Sequence, residues 1–199
     1  YNFYSDYHSY LKKYNYTFTF EQVVDMQRGA TTAFYSLSDY VLFKKAWNSS
    51  LNNDELIENY LLNVYGSAYR PMKEMFTNWR LWFARNQIDF KWGEGINGKS
   101  ASGEWFDIGF LKQMLELYSQ AKEAIESYKD DPISYQKYAD AIDVEYIAIA
   151  RPAVTYFSNS FSSEELANMK SKLKEIITKS GMTRDGESTY ISSYLNTLD

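Results

Sequence analysis

Apolar residues recur at helical spacing along most of the chain. Tyr4, Tyr7, Leu11 and Tyr14 lie on one face of a helix predicted over residues 2–14. The period then changes. Thr17-Phe18-Thr19-Phe20 alternates β-branched and aromatic residues, the pattern of a strand. It has no obvious strand partner in the chain, and a lone strand leaves its ladder hydrogen bonds unmade, so it calls for a sheet from elsewhere. Helical spacing returns over 33–48, with Phe34, Leu37 and Val41 inward and Trp47 near the end.

Asn52 and Glu55 have the spacing of a capping box and open the next helix, which carries Leu56, Ile57, Tyr60, Leu61 and Val64 and stops at Gly66. Residues 68–87 follow, with Pro71 in the first turn, where proline is tolerated. Met72, Met75, Phe76, Trp79, Trp82 and Phe83 cover more than one stripe of this helix, which places it centrally. Four of the nine glycines fall within 89–104, a predicted surface loop flanked by Trp92 and Trp105.

A long helix opens near Asp107, with Ile108, Leu111, Leu115, Tyr118 and Ile125 on one face. Asp131-Pro132 ends one helix and starts another, lined by Tyr135, Tyr138, Ile142, Tyr146 and Ile149. Pro152 is expected to kink or end that helix unless something compensates for its missing donor. Ser162 with Glu165 forms a second capping box ahead of Leu166, Met169, Leu173, Ile176 and Ile177, closed by Gly181. Tyr190, Ile191, Tyr194 and Leu195 suit a short helix in the tail. The pattern predicts six or seven helices, one orphan strand and one glycine-rich loop.

Composition narrows this picture. The chain has 199 residues, 45% of them apolar, enough for a sizeable core and too many for general disorder. Nine glycines and three prolines are few for a β-sandwich or barrel. The absence of cysteine excludes a disulfide scaffold, a thiolate zinc site and a thiol nucleophile. A net charge of −5 argues against nucleic acid or an anionic membrane as partner. The apolar runs are too short for a membrane span. Tyr1 stands at the start with no signal-peptide pattern after it, so the chain reads as a processed product or a fragment. Aromatics reach 18%, and such rings either fill a helical core or stack on sugar faces.

No catalytic constellation stands out, no metal site is expected, and no cofactor motif is present. His8 is the single histidine and reads as a surface or packing residue; a histidine-cluster metal site is excluded by count. Glu116, Glu123 and Glu126 read as solvated helix charges. Glu145 lies beside an apolar stripe, where it pairs with Arg151 or is exposed. Glu21 and Gln22 directly follow the strand, the place where parallel β/α architectures face their ligand. A carboxylate and an amide there suit sugar hydroxyls, or they cap a turn. Trp92 and Trp105 either pin the glycine-rich loop to the core or present indole faces to a pyranose ring. Asn15-Tyr16-Thr17 and Asn48-Ser49-Ser50 match the glycosylation sequon, which matters only for a eukaryotic secreted protein.

The order of these features resembles a family. The strand and Phe20-Glu21-Gln22 lead, after a spacer with Gly29, to a helix ending at Lys45-Ala46-Trp47. Asn53-Asp54-Glu55-Leu56-Ile57 and Tyr65-Gly66-Ser67-Ala68 follow, and the likeness continues through Trp105 into Leu111–Ser127. This resembles the C-terminal region of the domain-of-unknown-function 4838 family, bacterial proteins similar to (β/α)8-barrel glycoside hydrolases and often secreted, periplasmic or on the cell surface. The resemblance implies that residues 1–50 are the last β/α portion of a glycosidase-like barrel and 51–199 a C-terminal α-helical domain. Thr17–Phe20 becomes the last barrel strand and 33–48 the last barrel helix. The catalytic carboxylates then lie upstream, outside the chain, and Glu21 and Gln22 carry over as substrate contacts.

The expected fold is therefore mainly α, a multi-helix bundle with at most one short strand, a remnant of the last β/α unit of a barrel. The expected role is to support the barrel and border its sugar site without catalysis by the chain alone. Its expected partners are the upstream barrel domain and a carbohydrate ligand. The alternative is a self-contained helical module that binds a protein or a glycan.

Overall fold

The computed structural model describes residues 2–15, 33–85, 106–185 and 189–199. The strand expected at Thr17–Phe20 and the glycine-rich segment 89–104 lie outside the described residues. The described chain is mainly helical. Its elements run α1 (Asn2–Lys13), α2 (Tyr35–Trp47), α3 (Asn53–Tyr65), α4 (Tyr69–Arg85), α5 (Ile108–Ala124), α6 (Pro132–Tyr156) and α7 (Ser163–Lys179). A hairpin of β1 (Arg184–Asp185) and β2 (Thr189–Tyr190) and a short α8 (Ile191–Leu195) complete the chain.

The helix starts follow local chemistry. The Asn52 side chain accepts from the Asp54 and Glu55 amides, and Asp107 accepts from Gly109 and Phe110 at 2.7 and 3.1 Å. Each cap satisfies amides that have no partner inside the helix. Asp131 caps α6 by accepting from the Ser134 amide, with Pro132 in the first turn. The capping box expected at Ser162 and Glu165 is complete: the hydroxyl accepts from the Glu165 amide at 3.2 Å, and the carboxylate accepts from the Ser162 amide at 2.8 Å. Gly66 ends α3 at φ +54°, and a Cβ there would stand 2.7 Å from the Tyr138 ring. Glycine thus lets the α3–α4 turn close onto α6.

Helices α4, α5, α6 and α7 pack in sequence order, each on the next, with α3 against both α4 and α6. One core joins them and extends to α2 through Phe34, Leu37 and Val41. Many aromatics of the described chain serve this core. Phe34 meets Tyr65 and Phe76 edge-on, and Trp79 packs among Phe83, Phe106 and Phe110 with centroids 5.4 to 5.9 Å apart. Half-buried Trp82 stacks on Phe110 at 4.4 Å.

Three expectations need correction. The sequence pattern allowed at most one short strand, yet β1 and β2 pair antiparallel, Arg184 opposite Tyr190. Two residues per strand carry no readable alternation; across the pair the Arg184 guanidinium lies 4.0 Å from the Tyr190 ring centroid, and Arg151 of α6 holds Asp185 from outside. Helix α6 runs through Pro152 to Tyr156 without ending. Pro152 removes one donor, and it is buried beside Ala148, Ala150 and Ala153, whose small side chains pack into the core. The buried face of α5 is wider than the expected stripe. Leu111, Tyr118 and Ile125 are buried as expected and Phe110, Met114 and Leu117 join them, whereas Ile108 and Leu115 are half-buried.

Candidate functional site

The residues expected to contact substrate, Glu21, Gln22, Trp92 and Trp105, lie outside the described residues. Two other features carry chemistry: a cleft beside α5 and α7, and a carboxyl sealed in the core.

The cleft encloses about 500 Å³ between α5 and α7, with Tyr146 of α6 at its floor. Its base is aromatic. Tyr118 and Tyr146 lie 4.6 Å apart, and Phe161 closes one end. Lys172 holds its ammonium over both tyrosines, 4.5 Å from the Tyr118 centroid and 5.3 Å from that of Tyr146. The quadrupole of each ring attracts the charge there. Burial holds the Lys172 amine below the usual lysine range, assisted by Lys122 and opposed by Asp143 and Glu175.

Asp143 is already engaged. Its Oδ1 accepts from the Tyr118 hydroxyl at 2.6 Å and from Lys122 at 2.8 Å. Burial first, and then this carboxylate, push Tyr118 far above the ordinary phenol range, so it stays a neutral donor. Lys112 lies over the Phe161 ring at 5.3 Å. At the rim, Glu165 is held by its capping box and Glu116 accepts from Gln120. Among the described residues, Lys172 has no carboxylate within ion-pair distance. The cleft therefore combines an aromatic base with a cation that rests on two rings and, among the described residues, forms no ion pair.

Sequence reading placed Tyr118 and Tyr146 on core faces and passed over Lys172. A signal was present: Lys172 stands three residues after Met169 and four before Ile176, on the apolar stripe of α7. A lysine on that stripe is half-buried by geometry.

Glu145 departs from expectation. It is 3% exposed and does not meet Arg151. Arg151 instead forms a two-pronged pair with Asp185 at 2.7 and 2.6 Å and covers the Tyr194 ring at 4.1 Å. Glu145 accepts from the Tyr65 hydroxyl at 2.8 Å and from the Phe34 amide at 2.5 Å. Phe34 adopts φ +57° at the start of α2, so the carboxyl anchors a strained helix entry. Burial raises its pKa to about 7, against the pull of the two hydrogen bonds. No solvent-facing substrate reaches this group, and its role is to tie α2, α3 and α6 together.

Lys45 is a second buried charge, 1% exposed, donating to the Ser49 and Leu51 carbonyls at 2.5 and 2.7 Å. It closes the end of α2. His8 is buried against Tyr7, so of the surface and packing roles open to it the fold takes packing. Among the described residues no helix is long and apolar enough to cross a membrane, and no three His, Cys, Asp or Glu side chains are grouped to hold a metal.

No family model, curated protein or solved structure matches the chain.

Proposed function

We propose that the chain is the C-terminal helical portion of a carbohydrate-active, glycoside-hydrolase-like bacterial protein similar to the domain-of-unknown-function 4838 family. In this reading residues 1–50 complete a barrel, residues 51–199 support it and border its sugar site, and the parent protein is secreted, periplasmic or at the cell surface. The chain alone is not catalytic.

The observation that carries the reading is the double character of α2. Leu37 and Val41 are buried in the bundle. On another face of the same helix, Phe43 is 50% and Trp47 93% exposed, four residues apart and so side by side. A last barrel helix has this form, with one side on the helical domain and another on the barrel. The carboxylates fit as well. Glycoside hydrolysis needs two carboxyl groups across one bond. Here Glu165 is committed to its cap and Glu145 is sealed in the core.

A second reading, a self-contained helical binding module, is favoured by the single core from α2 to α7 and by the aromatic cleft. Deleting residues 1–20 separates the two. Little change in melting temperature fits the barrel remnant. A fall of more than about 10 °C fits the self-contained module. Turnover of aryl-glycosides by the 199 residues alone would defeat both.

A further inference from the structure

In two other clefts of the bundle a lysine is paired with an aspartate. Lys179 pairs with Asp140 at 2.6 Å beside α6 and α7, and Lys174 pairs with Asp199 near the C-terminus. The cleft between α5 and α7 differs. Lys122 is satisfied by Asp143, but Lys172 and Lys112 rest on aromatic faces. A half-buried ammonium that has lost part of its water shell gains strongly from an anion brought into hydrogen-bond reach.

We propose that this cleft binds a small organic monoanion, a carboxylate joined to a flat ring, with Lys172 holding the carboxylate and half-buried Leu115, Phe161 and Met169 receiving the ring. The volume of about 500 Å³ suits a molecule of one or two rings. Ser119 and Asn168 line the same space and offer polar contacts to ring substituents. The charge of the head group follows from the lining. Three lysines, Lys112, Lys122 and Lys172, stand against two glutamates, Glu116 and Glu165, and this small net positive charge suits a single carboxylate better than a phosphate dianion. This site is independent of any barrel or glycosidase context.

The test is a titration of the full chain with benzoate, followed through backbone amide shifts. The expected result is saturable shifts confined to α5, α7 and the Phe161 turn, with benzyl alcohol and phenyl phosphate each at least about ten-fold weaker, the loss expected for a missing or mismatched charged hydrogen bond. Lys172→Gln should weaken benzoate by about ten-fold or more, and Lys172→Arg should restore most of that loss. If Lys172→Gln fails to fold, the benzoate, benzyl alcohol and phenyl phosphate comparison on the unmodified chain still decides. Equal binding of the neutral alcohol, tighter binding of the dianion, shifts elsewhere on the bundle, or no saturable shifts would overturn the proposal.

Discussion

Glu145 shows how one residue can make stability depend on pH. Burial penalises the charged form and pushes its carboxyl up from the ordinary 4.5 to about 7 in the fold. Between these values the folded chain holds a proton that the unfolded chain has released. Stability from this group is therefore fully present below about pH 4.5 and is lost as pH rises through 7. A shift of this size corresponds to about 3 kcal/mol across the window. Glu145→Gln keeps an acceptor for Tyr65 or Phe34 and removes the titration. Denaturant unfolding of both proteins at several pH values should show the difference in their stabilities changing between pH 4.5 and 7 and flat outside. A constant difference would place the titrating group elsewhere. The sequence marked Glu145 as beside a stripe, and the stripe is legible: it lies three residues after Ile142 and four before Ile149. Its partners were not legible, because Phe34 is 111 residues away and Tyr65 80.

At the scale of elements, helix ends were the most readable feature. Asn52, Asp107, Asp131 and Ser162 cap through residues within three positions, so local sequence holds all the chemistry required. The C-terminal hairpin is the opposite case. Its short strands are tied to α6 by Arg151, whose paired Asp185 lies 34 residues on and whose side chain is only 16% exposed. Arg151→Met should cost about 2 kcal/mol, below the full penalty for a deeply buried pair because both partners keep some solvent. The loss should appear locally, as faster proteolysis within 184–199, ahead of any change in α3–α6. Unchanged protection of the tail would show that the apolar contacts of Ile191 and Leu198 hold it alone.

For the whole molecule, the division between core and outward surface decides what the bundle can do. Trp47 contributes almost nothing to the interior, so Trp47→Ala should leave thermal stability within about 0.5 kcal/mol of the unmodified chain. A larger loss would mean that its indole packs against the chain itself and would remove the main support for a barrel-facing α2. The helical class, the element order and most caps followed from sequence alone, because they depend on period, on breakers and on side chains reaching their own backbone. Few glycines and prolines and 3.6-residue spacing over most of the chain leave little room for another class. Other features depended on the tertiary structure. Long-range packing set the extra width of the buried α5 face, the passage of α6 through Pro152 and the partnership of Arg151 with Asp185. It also placed Lys172 over two tyrosines of different helices. Local sequence encodes which backbone groups need partners, whereas the charge environment of a side chain depends on residues that only folding brings near.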